Sequence, residues 1–146
     1  MKAGQYFALI AGIGLLIVGI LGFVPGAVSL ADPANLTVDP SSRIRFGYLL
    51  GLFPVNHLLS SLQILAGITG ILTSIALDGS RYYARFLAIL YGIFAVMGLF
   101  PFARTAFGLT PLFGNDVWFH AVIAAIATYY GFFASPGLLE IASQRR

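Results

Sequence analysis

The sequence contains no cysteine, so disulfides, thiolate metal sites and cysteine nucleophiles are excluded, and the redox compartment is left open. Charge is almost as scarce. Asp, Glu, Lys and Arg make up 9% of the 146 residues, against about 25% in an average soluble domain. So few charges cannot cover the water-facing surface of a globule this size. The net charge of +3 is scattered with no basic run, which is too weak and diffuse for a nucleic-acid partner. What fills the chain instead is apolar: 59% of residues are hydrophobic, 14% are aromatic and mean hydropathy is +0.92. Disorder needs the opposite composition. A single integral membrane domain covering residues 1–146 is the class that remains, with the lipid bilayer as its first partner.

Four stretches are long enough for helices crossing a hydrocarbon core, which takes about 17–25 apolar residues. They run over residues 6–24, 57–77, 82–100 and 117–134. Each is expected to be helical, because backbone exposed to lipid must satisfy its own N–H and C=O groups. Asn56 and Asp116 are natural N-caps for the second and fourth spans. Asp78-Gly79-Ser80 reads as the turn between spans two and three, and Ser135-Pro136-Gly137 as the end of span four. Lys2, the first apolar run and Ser29-Leu30-Ala31 also resemble a signal peptide. Signal h-regions are typically about 7–15 residues long, and residues 6–24 exceed that, so the stretch is kept as a span.

Four crossings place Lys2, Arg81, Arg85, Arg145 and Arg146 on one side and Arg43, Arg45 and Arg104 on the other. The positive-inside rule then predicts both termini in the cytoplasm. The pattern Gly-x-x-Pro recurs at Gly22–Pro25, Gly51–Pro54, Gly98–Pro101 and Gly108–Pro111. Copies one and three close spans one and three, while copies two and four precede spans two and four. Each half therefore reads helix, Gly-x-x-Pro, connection, Gly-x-x-Pro, helix. Tandem duplication accounts for this placement better than chance, and predicts an all-α membrane protein built from two parallel-repeat helical hairpins.

Three segments carry a family resemblance. Phe7 to Gly26 with Ile17-Val18-Gly19-Ile20-Leu21-Gly22-Phe23-Val24-Pro25-Gly26 at its core, Gly51-Leu52-Phe53-Pro54-Val55-Asn56, and Phe107-Gly108-Leu109 with Asp116-Val117-Trp118-Phe119-His120 together resemble a bacterial family of small four-helix membrane proteins. That family is known only as a domain of unknown function. The resemblance implies the four-helix fold and a bacterial cytoplasmic membrane, or a thylakoid membrane in a photosynthetic host. It assigns no activity. In that family span two opens with two histidines four residues apart; Leu59 and Gln63 occupy those positions here, and His57 stands where proline is usual.

Small residues fall at helical spacing on every span. Span two carries Ser60, Gln63, Gly67, Gly70 and Ser74; span one Ala8, Gly12, Gly19 and Gly22; span three Ala84, Ala88, Gly92 and Ala95; span four His120, Ala124, Ala127 and Gly131. Helices in lipid associate through such close-packing seams. Gly12, Gly19, Gln63, Gly67, Gly70, Gly92 and Gly131 are accordingly expected in the bundle core, with Gln63 in an interhelical hydrogen bond. A lined pore is the competing use of the same faces. No charged residue lies near mid-span, which argues against ion pumping.

His57 and His120 sit near the outer ends of spans two and four. They are the candidate cofactor-binding residues, as axial ligands to a haem or chlorophyll, or one of them as part of a metal site. The bland alternative is an interface histidine bonded to a loop carbonyl or to Asp116. Two histidines without a second carboxylate or a cysteine nearby make a weak metal signal, so no metal and no obligatory cofactor is expected. Nor does any nucleophile–base constellation stand out, and an enzyme is not expected.

The first outer connection, residues 26–55, is about twice as long as the second. Ser41-Ser42 is expected to cap a short interfacial helix over about residues 43–52. Arg43, Arg45, Phe46 and Tyr48 there, with Trp118 on span four, are the expected partner-docking residues. The whole reads as a non-catalytic accessory or scaffold subunit of a larger membrane complex, partnered by other membrane-protein subunits. A pigment- or haem-binding subunit, or a channel for a small neutral solute, is the alternative.

Overall fold

The computed structural model describes residues 1–30 and 44–134. Four helices dominate: α1 over Ala3–Leu21, α2 over His57–Thr73, α3 over Leu77–Leu99 and α4 over Asn115–Thr128. A π-helical turn, Tyr129–Phe133, extends α4 without a break. Three short strands precede α2: β1 (Val28–Leu30), β2 (Gly47–Leu49) and β3 (Phe53–Val55). They form an antiparallel sheet in the order β1-β2-β3, pairing Ser29 with Tyr48 and Tyr48 with Pro54.

Three helical stretches, Ala3–Leu21, Leu77–Leu99 and Asn115–Phe133, are long and apolar enough to cross a membrane. At about 1.5 Å per residue each reaches close to the ~30 Å of a hydrocarbon core. Helix α2 is apolar but has 17 residues. The helices present their large apolar side chains outward, among them Ile10, Ile17, Leu65, Leu72, Phe86 and Ile93. That pattern is inverted relative to a water-soluble bundle and is what lipid as solvent selects.

Small residues set the contacts between helices. Helix α1 packs chiefly against α2, and α3 chiefly against α4. A Cβ added at Gly12 would lie 2.7 Å from the Ile71 amide nitrogen, and one at Gly67 2.5 Å from that of Leu16. A Cβ at Gly19 would lie 2.7 Å from the Ser60 carbonyl oxygen, and one at Gly70 2.5 Å from the Tyr83 hydroxyl and 2.8 Å from the Ala8 carbonyl oxygen. A Cβ at Gly131 would lie 2.9 Å from the Arg85 amide nitrogen, whereas one at Gly92 would stay 4.0 Å from Ala124 Cβ and has room. Tyr83 fills the centre of the bundle with Ala8, Leu15, Leu87 and Tyr91, and its hydroxyl donates to the Ala66 carbonyl at 2.9 Å.

Three local expectations need correction. Residues 47–49 and 53–55 are strands, so the helix expected over 43–52 is absent from the described part of that stretch. Leu50 and Gly51, at φ +53° and +71°, turn the chain back on itself, and Leu52 N–H closes the turn on the Leu49 carbonyl at 3.0 Å. Two successive left-handed residues suit a hairpin turn and break a helix. Asp78, Gly79 and Ser80 belong to the first turn of α3; the reversal lies earlier, ahead of the Ala76 N-cap. Asp116 is not a cap either, since α4 starts from Gly114 at φ +67° and takes Asp116 into its first turn. Asn56 does cap α2, its Oδ1 accepting from Leu59 N–H at 2.9 Å. The signals at residues 32–43 and 135–146 lie outside the described residues.

Candidate functional site

Two features stand out at the end of the bundle that carries the sheet, a jointed crown and a buried polar pocket beneath it. The crown is built from the α1–α2 and α3–α4 connections. Asn56 Nδ2 donates to the Leu109 carbonyl at 2.8 Å, and Asn115 Nδ2 donates to the Leu52 carbonyl at 2.9 Å. Leu52 and Leu109 each follow the glycine of a Gly-x-x-Pro copy, and each asparagine stands at the start of the following helix. The two bonds are therefore reciprocal between the halves of the chain. Thr110 Oγ1 adds a donor to Asn56 Oδ1 at 3.1 Å. The backbone repeats in part as well: Leu50-Gly51 has φ +53° and +71°, and Phe107-Gly108 has φ +58° and +90°, with Ala106 ahead of them also left-handed at φ +47°. A left-handed conformation strains a large L-residue by about 1–2 kcal/mol. Both Leu50 and Phe107 are nonetheless exposed, at 64% and 76%.

Phe46 stands edge-on to Tyr48 and to Phe113, at centroid distances of 5.7 and 5.2 Å. This ties the first connection to the second. Phe46 and Tyr48 are half-buried in this cluster, Arg45 and Trp118 are exposed, and Arg43 lies outside the described residues.

Beneath the hairpin of β2 and β3, a cavity of about 90 Å³ is lined by Val18, Leu49, Phe53, Phe119 and two polar residues, Gln63 and Asp116. Gln63, Asp116 and His120 are all but inaccessible, at 1%, 1% and 0%. Gln63 Oε1, Asp116 Oδ2 and both ring nitrogens of His120 have no hydrogen-bond partner. Gln63 thus makes no interhelical bond through its carbonyl, in contrast to the expectation. His120 is no interface residue bonded to a loop or to Asp116. It is enclosed by the rings of Tyr91, Phe94 and Phe119 at 5.2, 5.4 and 5.8 Å.

His57 is separate from this pocket. It is exposed at the first position of α2, stacked on Phe23 at 5.0 Å, and borders an open groove of about 360 Å³ with Arg45 and Asn56. The pocket does not bring the two histidines together. A macrocycle ligated by His120 would have to displace the three rings around it, and of the two histidines His57 is the one that borders an open groove. Among the described residues no group of three or more His, Asp or Glu side chains converges.

Asp116 is the residue that sequence reasoning misplaced. Four residues before His120, it shares a helix face with it, and that spacing was the available signal. Leu59 and Gln63, one turn apart on α2, are both buried on the facing side.

Residues 5–133 match the family described as Domain of unknown function (DUF4383). The chain belongs to this family. The match takes in nearly all of α1, the whole of α2, α3 and α4 and both connections of the crown, and the family's description carries no activity. No curated protein and no solved structure matches the chain.

Proposed function

We propose that this family member is a non-catalytic subunit of a larger membrane assembly, held in the bilayer by four spans and docked through its outer crown. The observation that carries this is the pair Leu50 and Phe107. Each is a large apolar side chain held in a strained left-handed backbone and turned outward, at matching places in the two halves. Strain of this kind persists where surrounding structure imposes it, and it concentrates at working surfaces. Exposed apolar groups on a braced platform suit a protein partner. Arg45 and Trp118 extend the same surface as polar and aromatic contacts, the residue types enriched at interface hot spots.

The four-span arrangement is part of this proposal. Helix α2, about 26 Å long at 1.5 Å per residue, would complete a tandem pair of hairpins, α1–α2 and α3–α4. The reciprocal Asn56 and Asn115 bonds and the repeated turn geometry support duplication. Five basic residues at the inner ends against three at the outer favour cytoplasmic termini.

The test compares Phe107→Asn and Leu50→Asn with the parent chain on a native gel of its own membranes. Asparagine tolerates the left-handed region, so each variant should be more stable by about 0.5–1 kcal/mol. The parent should run in a larger assembly with a constant partner, and the double variant should run free. Retained co-migration of the double variant would remove the crown from the interface.

A further inference from the structure

The cavity under the β2–β3 hairpin adjoins a second, larger space. Between α1 and α4 runs an open apolar groove of about 300 Å³, lined by Phe7, Ile10, Gly14, Ile123 and Ile126 along its length. Val18 and Phe119 line both spaces. A Cβ at Gly14 would meet nothing within 4 Å, so the groove floor is open. The groove carries almost no polar surface, whereas the cavity ends at Gln63 Oε1 and Asp116 Oδ2, both buried and unpartnered. Buried polar atoms left without hydrogen bonds cost about 1–3 kcal/mol each, so a guest that bonds them is favoured. The two orphan atoms lining the cavity are oxygens able to accept a hydrogen bond, and a guest hydroxyl can satisfy one of them.

We propose that the two spaces form one binding site for a single-chain lipid alcohol: the chain lies in the α1–α4 groove, and a small hydroxyl-bearing head passes between Val18 and Phe119 to donate its one hydrogen to Gln63 Oε1 or Asp116 Oδ2. This stands independently of docking through the crown. Water would satisfy the head cavity, since about 90 Å³ holds roughly three waters at ~30 Å³ each. Water gives no reason for an apolar groove to end at that cavity. A lipid guest also reaches the site sideways from the bilayer and needs no aqueous path.

The experiment uses the full chain in phosphatidylcholine nanodiscs, because that lipid offers no hydroxyl donor. Two photoreactive probes are compared: dodecanol bearing a diazirine near the end of its chain, and its methyl ether, which has the same shape without the donor. The alcohol should label the groove residues, Ile10 and Ile123 among them, roughly fivefold more than the ether, the factor expected for about one lost hydrogen bond. Gln63→Leu and Asp116→Leu together, which remove both oxygens, should bring that ratio to about one. Val18→Phe, which narrows the neck and leaves both oxygens in place, should do the same. Unlabelled monododecanoylglycerol and a decyl hydroquinone serve as competitors; displacement by either supports the site and tells a glyceride head from an aromatic one. Equal labelling by alcohol and ether in the parent chain, the result for a cavity filled by water alone, would overturn the proposal without bearing on the crown.

Discussion

Gly67 and Leu65 lie two residues apart on α2 and face opposite surroundings. Gly67 meets the α1 backbone, where a Cβ would come 2.5 Å from Leu16 N and 2.7 Å from the Gly12 carbonyl. Leu65 is turned outward among the exposed apolar residues. Gly67→Leu should therefore destabilise the bundle by about 2 kcal/mol or more, since neither helix backbone can give way locally. Leu65→Ala should stay within about 0.5 kcal/mol, because leucine gains little by leaving lipid. Melting temperatures of the two variants in one detergent provide the check, and equal values would count against the α1–α2 seam. The same scale holds the joint between the halves. Asn56→Ala removes a cap and one crossing bond, at about 1–2 kcal/mol, and Asn115→Ala removes the other bond at about 1 kcal/mol. If both brace one joint, the double variant should cost less than the sum by at least ~0.5 kcal/mol, whereas strict additivity would mean the two bonds act separately.

At the scale of elements, how far each was legible depended on whether its cause is local. The helices were readable because apolar length is a local property. Asn56 was readable as a cap because its side chain serves a backbone amide three residues on. The hairpin of β2 and β3 was not, because Ile44 to Leu52 has the composition of an amphipathic helix. What decides against one is the left-handed pair Leu50-Gly51, and glycine at one of two positions does not announce that turn. The seam glycines were visible from spacing, but the orphaned pocket was not. The four-residue spacing of Asp116 and His120 marks a shared helix face, but whether that face is buried depends on tertiary packing around α4, which spacing does not encode. The C-terminal end of α4 offers a further test. Arg85 Nε donates to the Gly131 carbonyl at 2.9 Å, and its guanidinium lies 4.9 Å from the Phe132 ring centroid. Arg85 thus ties the π-helical turn to α3, with Ala134 N–H closing that turn on the Tyr129 carbonyl at 2.8 Å. Arg85→Leu should raise amide hydrogen exchange from Tyr129 to Ala134 and leave the crown amides unchanged. Unaltered exchange there would mean the turn is held by its own packing.

At the scale of the whole molecule, apolar side chains face outward on every helix while polar groups gather inside and at the crown. Composition alone predicted a membrane protein, and three helices have the length and hydropathy to cross. Helix α2, at 17 residues, sits at the lower edge of the range, and everything proposed for the crown depends on whether it spans. If it does, both connections emerge on one face and can be joined by Asn56 and Asn115. The most direct measurement is impermeant thiol labelling of single cysteines in intact cells, which the absence of native cysteine makes clean. Leu52→Cys and Leu109→Cys report the two halves of the crown, and Ile75→Cys reports the exposed turn between α2 and α3. The account predicts labelling at positions 52 and 109 and protection at 75 until the membrane is opened. Labelling of all three from outside would mean that α2 does not cross, and would contradict the four-span arrangement on which the proposed function stands.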